Sequence, residues 1–569
     1  MASLLIKFID MKILFTCSHF YISKKNKPYP HGISRLQHGR KQRSGSFIIS
    51  FSKERSSIMK KILALCLALI TATASGSISS PRGEDMRIGV SIDAKNFDPQ
   101  NSVDTYSFSM QKQIYESLFT IDGKTRQLTP VLAESCEQLD DHTYKFHLRK
   151  GVKFHNGEEM TAEDVVFSLQ RAATPETSIF AKSHAAWIDP HGFEIVDRYT
   201  VIVRSKGPTG GVLISLKCPY ANILCKKAVE EAGKDYFRSP VGTGPYRLVN
   251  WLKGEKAELE VFPDYWGTKP YAKKLTFVVL PDDSTRIIAL ETNKVDMIYA
   301  VPPADYERLK EQKDVKVVKS PGLVLLHLAM NTQSPKLKDP RVRLALEYGI
   351  NKDIYNQVVY GGNAVTPRGP LPDASLYFPE KAHAWPYDPA RARQLLQEAG
   401  VKDLELNLWV MNASDRINGA TVLQSMLAQI GIRLNVSVFE NAVINDKVRK
   451  GKHDLYLCTW GMQNSPDAGF YWQAQFTKST IGATNSSWLD DDKLDKWINE
   501  ANRTIDETKR NAIFAKIWDR INEIHPWVYM SLAEELHGAQ KDLLGVEDLR
   551  DGKINYLGNL HYPEQHRLP

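Results

Sequence analysis

Apolar residues recur along this chain in two rhythms that alternate from end to end. In "TAEDVVFSLQRA", residues 161–172, Val165, Val166 and Leu169 share one face at helical spacing, and Thr161 stands ready to cap with Asp164 three residues on. "DPRVRLALEYGI" and "DPARARQLLQEAG" each open on an Asp N-cap followed by Pro, whose missing N–H costs nothing in a first turn. Gly349 and Gly400 are the expected stops of these two helices. Near the end, "DDDKLDKWINEANRTIDETKRNAIFAKIWDRINEI" predicts two amphipathic helices halted by His525-Pro526.

Strands are predicted at "HTYKFHLRKGVKF", "YTVIVRS", "KAELEVF", "KKLTFVVL", "LVLLHLAMN", "LELNLWVM", "IRLNVSVFE" and "HDLYLCTW". The later ones are almost continuously apolar, as expected of strands covered on both faces. "LELNLWVM", a helical stretch near 418–430 and "IRLNVSVFE" form a strand–helix–strand unit, which implies a parallel pair and a right-handed crossover. The class is α/β, without repeats or low-complexity tracts.

The first 74 residues break the pattern. "MKKILALCLALITATASGS", residues 59–77, has a charged start, an apolar run and the small-x-small step Ala72-Thr73-Ala74, the layout of a secretory signal peptide cleaved near Ala74. A signal of this kind works at a nascent N-terminus. Residues 1–58 are therefore read as a non-native or disordered leader before a start at Met59, the rival being an organellar transit peptide. Cys66 is a poor lipidation site, because Leu65 stands where a small residue is needed.

Removing this segment changes what the charge means. Residues 1–74 hold 13 of the chain's 74 basic and 2 of its 66 acidic side chains, leaving 61 against 64. The basic balance thus gives no argument for nucleic acid. The remaining 495 residues exceed one hydrophobic core, so two or three domains are expected, with no apolar run near 18 residues among them. Four of six cysteines survive processing. Cys218 and Cys225 are near enough in sequence for a local disulfide, and buried free thiols are the equal alternative.

Familiar catalytic patterns are missing: no H-E-x-x-H, no G-x-x-x-x-G-K-[ST], no C-x-x-C and no G-x-S-x-G. "VGTGPYRL", residues 241–248, has glycines spaced like a dinucleotide loop, but Pro245 and a strand follow where a helix N-terminus would be needed.

Several long stretches together resemble one family. "LTPVLAESCEQLDDHTYKFHLRKGVKFHNGEEMTAEDVVFSLQRA", "SPVGTGPYRL" with "DYWGTKPYAKKLTF", "MNTQSPKLKDPRVRLALEYGINKD" and "AWPYDPARARQLLQEAG" are similar to the family 5 extracellular solute-binding proteins, from about residue 86 to the C-terminus. This family includes the dipeptide-, oligopeptide-, glutathione-, nickel- and haem-binding receptors of bacterial ABC importers. The resemblance implies a two-lobed periplasmic-binding-protein fold of type II, with a hinge and an additional inserted domain. It places the first lobe at 85–121, 229–320 and 535–569, the inserted domain at 122–228 and the second lobe at 321–534. "VGTGPY" then becomes a tight turn near the hinge side of the first lobe. The implied protein is a monomer without cofactor or metal, and not an enzyme. It captures a small molecule or short peptide in the periplasm and hands it to permease and ATPase subunits at the inner membrane. A receptor for nickel or another metal chelate is the alternative within the family. Outside it stand an exported hydrolase using Asp467 and His327, and a sensor or chaperone subunit.

The resemblance also implies ligand contacts. Peptide-binding relatives carry an Asp four positions before the Pro of a "W…P…F" loop, where it meets the peptide amine. Here that loop is "TWGMQNSPDAGFYW", and Met462 occupies the position. A thioether cannot compensate a buried ammonium, so Asp467 either takes over or caps its own loop, and Asn464 lies between them. Arg416, in "NASDRINGA", falls near where relatives place an arginine for a peptide carboxylate, a group that guanidinium binds with two parallel hydrogen bonds. The alternative is an exposed arginine paired with Asp415. Trp460 is expected to wall the cavity or sit in the core. Asp93, in "SIDAKNFDP", and His327, on "LVLLHLAMN", are the remaining candidates.

Overall fold

The structure, a computed structural model, describes residues 84–563 except 103, 123–126, 374, 463–466 and 550–556. The leader, the signal segment and Asn464 lie outside the described residues. The described residues fall within one compact unit.

Two large sheets organise that unit. The first has seven strands in the order Val315–Ser320, Glu535–Gln540, Met297–Tyr299, Asp85–Val90, Lys274–Val279, Lys256–Val261 and Tyr246–Leu252. The second has six: Ala364–Val365, Trp527–Ala533, Val324–Met330, Leu455–Gly461, Leu404–Met411 and Ile432–Phe439. A separate antiparallel sheet, Ala133–Gln138, Thr143–Leu148, Thr200–Ser205 and Ile188–Asp197, sits between the first and second passes of the chain through the first sheet. The apolar cores follow the same division. Clusters containing residues 325–532 share no member with those containing Met86–Tyr299 and Val315, Leu536 or Ala539.

The chain crosses between the two large sheets twice. Val315–Ser320 pairs antiparallel with Glu535–Gln540 in the first, and three residues later Val324–Met330 pairs antiparallel with Trp527–Ala533 in the second. The crossing is therefore a two-stranded ribbon that belongs to both sheets. Gly322 sits where any Cβ would overlap the Ala533 carbonyl, so the two crossing strands run in backbone contact.

Local chemistry explains most elements. Helix Ala162–Ala173 starts on the Thr161–Asp164 capping box, and Asp339 and Asp388 cap helices Pro340–Gly349 and Pro389–Glu398. Gly400 adopts the left-handed conformation that ends its helix. Gly349 does something else: it closes its helix in ordinary geometry, and Ile430 packs where its side chain would be. The strand–helix–strand unit forms as the parallel pair Leu404–Met411 and Ile432–Phe439, its helix beginning at Ser414, earlier than the apolar pattern suggests. In "VGTGPYRL" the glycines press on the backbone of Gln113 and Ile114 before strand Tyr246–Leu252, so the motif is a close-packed turn. Cys218 and Cys225 are both buried, and no disulfide joins them.

The loop after the first strand is clamped from the inserted sheet's side. Arg171 donates to both oxygens of Asp98, at 3.1 and 2.8 Å, and Gln100 Nε2 reaches the carbonyls of Ser168 and Tyr220. Those bonds tie helix Ala162–Ala173 and the Tyr220 backbone to that loop.

Candidate functional site

A cavity of about 420 Å³ is lined by Tyr144, Thr209 and Val212 from the region of the four-stranded sheet, and by Tyr377, Asp467 and Phe514 from the region of the six-stranded sheet. Asp467 is buried in this wall. It caps helix Ala468–Phe476 through the Phe470 N–H at 3.0 Å, and Arg510 donates to its two oxygens at 2.6 and 2.9 Å. Arg510 Nε also reaches the Ala501 carbonyl at 3.0 Å. The carboxylate is thus neutralised inside the protein, and Asp467 carries no free charge to offer an amine.

Arg510 is the residue that local sequence reasoning misses. Its signal is visible all the same: helix Glu507–Ile524 buries Arg510, Ile513, Phe514, Ile517, Trp518, Ile521 and Ile524 on one stripe. A cation at an apolar-face position requires a buried anion opposite it.

Arg416 lies in the first turn of helix Ser414–Ala428, with its side chain only 10% exposed and paired to Asp415, itself 41% exposed. Burial pulls the Arg416 pKa down, but Asp415 and the hydroxyls of Tyr360 and Tyr355 outweigh it and hold the guanidinium above its ordinary value. The result is a permanently charged, largely desolvated cation whose partner faces water.

His327 is 1% exposed on the central strand Val324–Met330. Its ring stacks on Trp527 at 3.7 Å between centroids, and Nε2 meets Cys458 Sγ at 3.2 Å. Burial, with the Arg416 charge adding to it, pulls its pKa down to about 3. The imidazole is a neutral core group with no hydrogen bond to Asp467.

Trp460 and Met462 pack on one apolar cluster with Leu325, Tyr471 and Trp472. Trp460 is half-buried there and Met462 is 2% exposed. A carboxylate in place of Met462 would be buried among hydrocarbon without a counter-charge. Met462→Asp is expected to cost about 3 kcal/mol or more of stability in denaturant unfolding, with no gain in dipeptide affinity. A variant as stable as the parent, with tighter binding of free-amine dipeptides, would show that this position opens onto solute instead. Asp93 lies in the first lobe, accepting from Trp251 Nε1 at 3.1 Å and the Gly254 N–H at 2.8 Å. The structure thus brings His327, through Trp527 and Cys458, to the apolar cluster that holds Trp460 and Met462, while Arg416 is paired to Asp415 and Asp467 and Asp93 have ion-pair and loop-anchoring roles.

Comparison with known proteins places this geometry. The model for bacterial extracellular solute-binding proteins, family 5 middle region, matches residues 127–482. The glutathione-binding protein GsiB of Pectobacterium atrosepticum is 30% identical over 498 residues, covering 84% of this chain and 95% of that one. Di/tripeptide-binding protein 2 of Pseudomonas aeruginosa is 28% identical over 514 residues, 85% and 96%. The periplasmic binding protein DppA of Helicobacter pylori, solved with the peptide STSA, superposes with a TM-score of 0.70 at 27% identity, covering 84% of this chain and 98% of that one.

Proposed function

The chain belongs to the bacterial extracellular solute-binding proteins of family 5, and from that premise we propose that it captures a short peptide or peptide-like solute in the periplasm for an ABC importer. Closure of the two lobes about the double-stranded crossing is the working motion, since a solute touching both lobes favours the form in which all its polar groups are met. The signal-like segment at residues 59–77 supports export. No helix among the described residues is long and apolar enough to cross a membrane. Permease and ATPase subunits are the implied partners, and transport without turnover of the solute is the implied activity.

The observation that carries the reading to a residue is Arg416. A buried guanidinium whose ion-pair partner is exposed has N–H groups to spare for a carboxylate that arrives with the solute. The relatives that bind dipeptides, tripeptides and glutathione bind solutes that carry such a group. Neither free Asp467 nor Met462 is available for an amine, so the carboxylate end is proposed as the principal anchor. The metal-chelate alternative draws nothing from His327, whose ring is held by Trp527 and Cys458. The hydrolase alternative loses its pair, because Asp467 is bound to Arg510.

Calorimetric titration tests this with Ala-Ala, glutathione and the C-terminal amide of Ala-Ala. Arg416→Ala is expected to weaken binding of the free acids by about 2–5 kcal/mol, Arg416→Lys by less, and the amide to bind poorly to the parent protein. Equal affinity of parent and Arg416→Ala for every acid bound would remove Arg416 from the site.

A further inference from the structure

The inserted domain is tied to the first lobe, yet one of its loops is seated in the second. Residues 207–211, "GPTGG", reach the turn between helices Asp492–Arg503 and Glu507–Ile524, where the Gly210 N–H donates to the Asn502 carbonyl at 2.8 Å. A Cβ on Gly210 would overlap the Thr504 carbonyl, lie 2.7 Å from Arg510 Nε and 3.1 Å from the Ala501 carbonyl. All three neighbours belong to the second lobe. The next residue, Gly211, faces the Asp467–Arg510 ion pair, a Cβ there lying 2.7 Å from Asp467 Oδ2 and 3.0 Å from Arg510 Nη1. A second contact lies nearby, His184 of the inserted domain against Phe470 at 4.0 Å between ring centroids. Phe470 is in the helix that Asp467 caps, directly after the loop that holds Asn464.

These contacts differ in kind from the crossing ribbon. The ribbon is covalent and persists through any rotation of the lobes; the Gly210 seat joins two bodies only by backbone fit. Arg171–Asp98 and Gln100 make the inserted domain move with the first lobe, so opening must unseat Gly210 from the 501–510 turn.

We propose that Gly210, seated in the Ala501–Arg510 turn over the Asp467–Arg510 ion pair, is a latch that holds the second lobe to the inserted domain in the closed form and thereby sets solute affinity. The absence of a side chain is what lets the backbones meet. Once closed, the loop covers an ion pair that would otherwise face solvent and completes the wall of the cavity. The latch rests on the solute-capture reading for its use, though not for its existence.

Gly210→Ala separates the two. Gly210 does not adopt the left-handed conformation, and the three atoms nearest the added methyl all belong to the 501–510 turn, so the ligand-free variant is expected to fold with an unchanged circular dichroism spectrum. Small-angle scattering, with and without a panel of L-dipeptides and glutathione, is the measurement. The variant is expected to show a larger radius of gyration than the parent under conditions that close the parent, and solute affinity weaker by tenfold or more. His184→Ala is expected to act in the same direction more weakly, and it serves as the test if Gly210→Ala misfolds. Identical scattering and affinity for parent and variant would overturn the latch. A parent that keeps one size with every solute, beside a larger Gly210→Ala variant, would sustain the latch and overturn the solute-capture reading.

Discussion

Arg510→Ala is expected to destabilise the protein by about 3–5 kcal/mol, measured as a lowered midpoint of denaturant unfolding. The magnitude follows from what is left behind. Asp467 is buried in the closed form, and losing Arg510 removes both donors at 2.6 and 2.9 Å from its carboxylate. The Phe470 N–H would remain its one donor from helix Ala468–Phe476. The Ala501 carbonyl also loses a partner. Asp467→Asn preserves the cap but strands the guanidinium, so it is expected to cost a similar amount, and the double variant Asp467→Ala/Arg510→Ala less than the sum of the single ones. An Arg510→Ala protein within about 1 kcal/mol of the parent would mean that water reaches the pair in solution.

Acid is the second large lever. His327 and His525 are buried, and burial pulls their pKa values down to about 3 and about 4, the Arg343 and Lys352 charges adding to the effect at His525. The unfolded chain takes protons on these rings near pH 6.5, whereas the folded protein does not until pH 4 or below, so the unfolded state binds more protons in between. Stability therefore falls as pH drops from about 6.5, by about 1.4 kcal/mol per pH unit for each ring. His155 and His184, pulled down to about 4 by burial, push in the same direction. Glu116 opposes them. Burial raises its pKa to about 7 despite donors from Trp266, Tyr265 and Thr243, so its protonation favours the folded state between pH 7 and its ordinary range. Unfolding midpoints at pH 7.5, 6 and 5 check the net slope. His525→Asn, which tolerates the left-handed conformation at that helix end, is expected to flatten it by one ring's share. A slope that His525→Asn leaves unchanged would mean that this ring titrates normally.

Elements whose cause is local were legible in the sequence. Asp339-Pro340, Asp388-Pro389 and the Thr161–Asp164 box carry their caps within four residues, and the apolar run at Val324–Met330 announces a strand covered on both faces. Leu404–Met411 and Ile432–Phe439, read the same way, instead bury alternate residues on one face and leave Asn407, Arg433 and Asn435 exposed on the other. Gly349 reads as a stop because Gly often ends helices, but here a contact with Ile430, 81 residues on, decides its use. The site follows the same rule. Arg416 could be named from its place after a strand, whereas the fate of Asp467 depends on Arg510, 43 residues away on another helix. Met462 and His327 looked chemical in isolation; their burial against Trp472 and Trp527 is a tertiary fact that no window of neighbouring residues contains.

The ribbon crossing has a consequence for how such a chain can be built and rebuilt. Ser320 and Glu535 are directly opposite one another in the first sheet, although 214 residues separate them along the backbone. The entire second lobe is therefore spliced into what would otherwise be a simple hairpin. A two-residue turn would reconnect the ends after its excision, and a lobe of different specificity could be grafted through the same doorway without re-registering a single strand of its host.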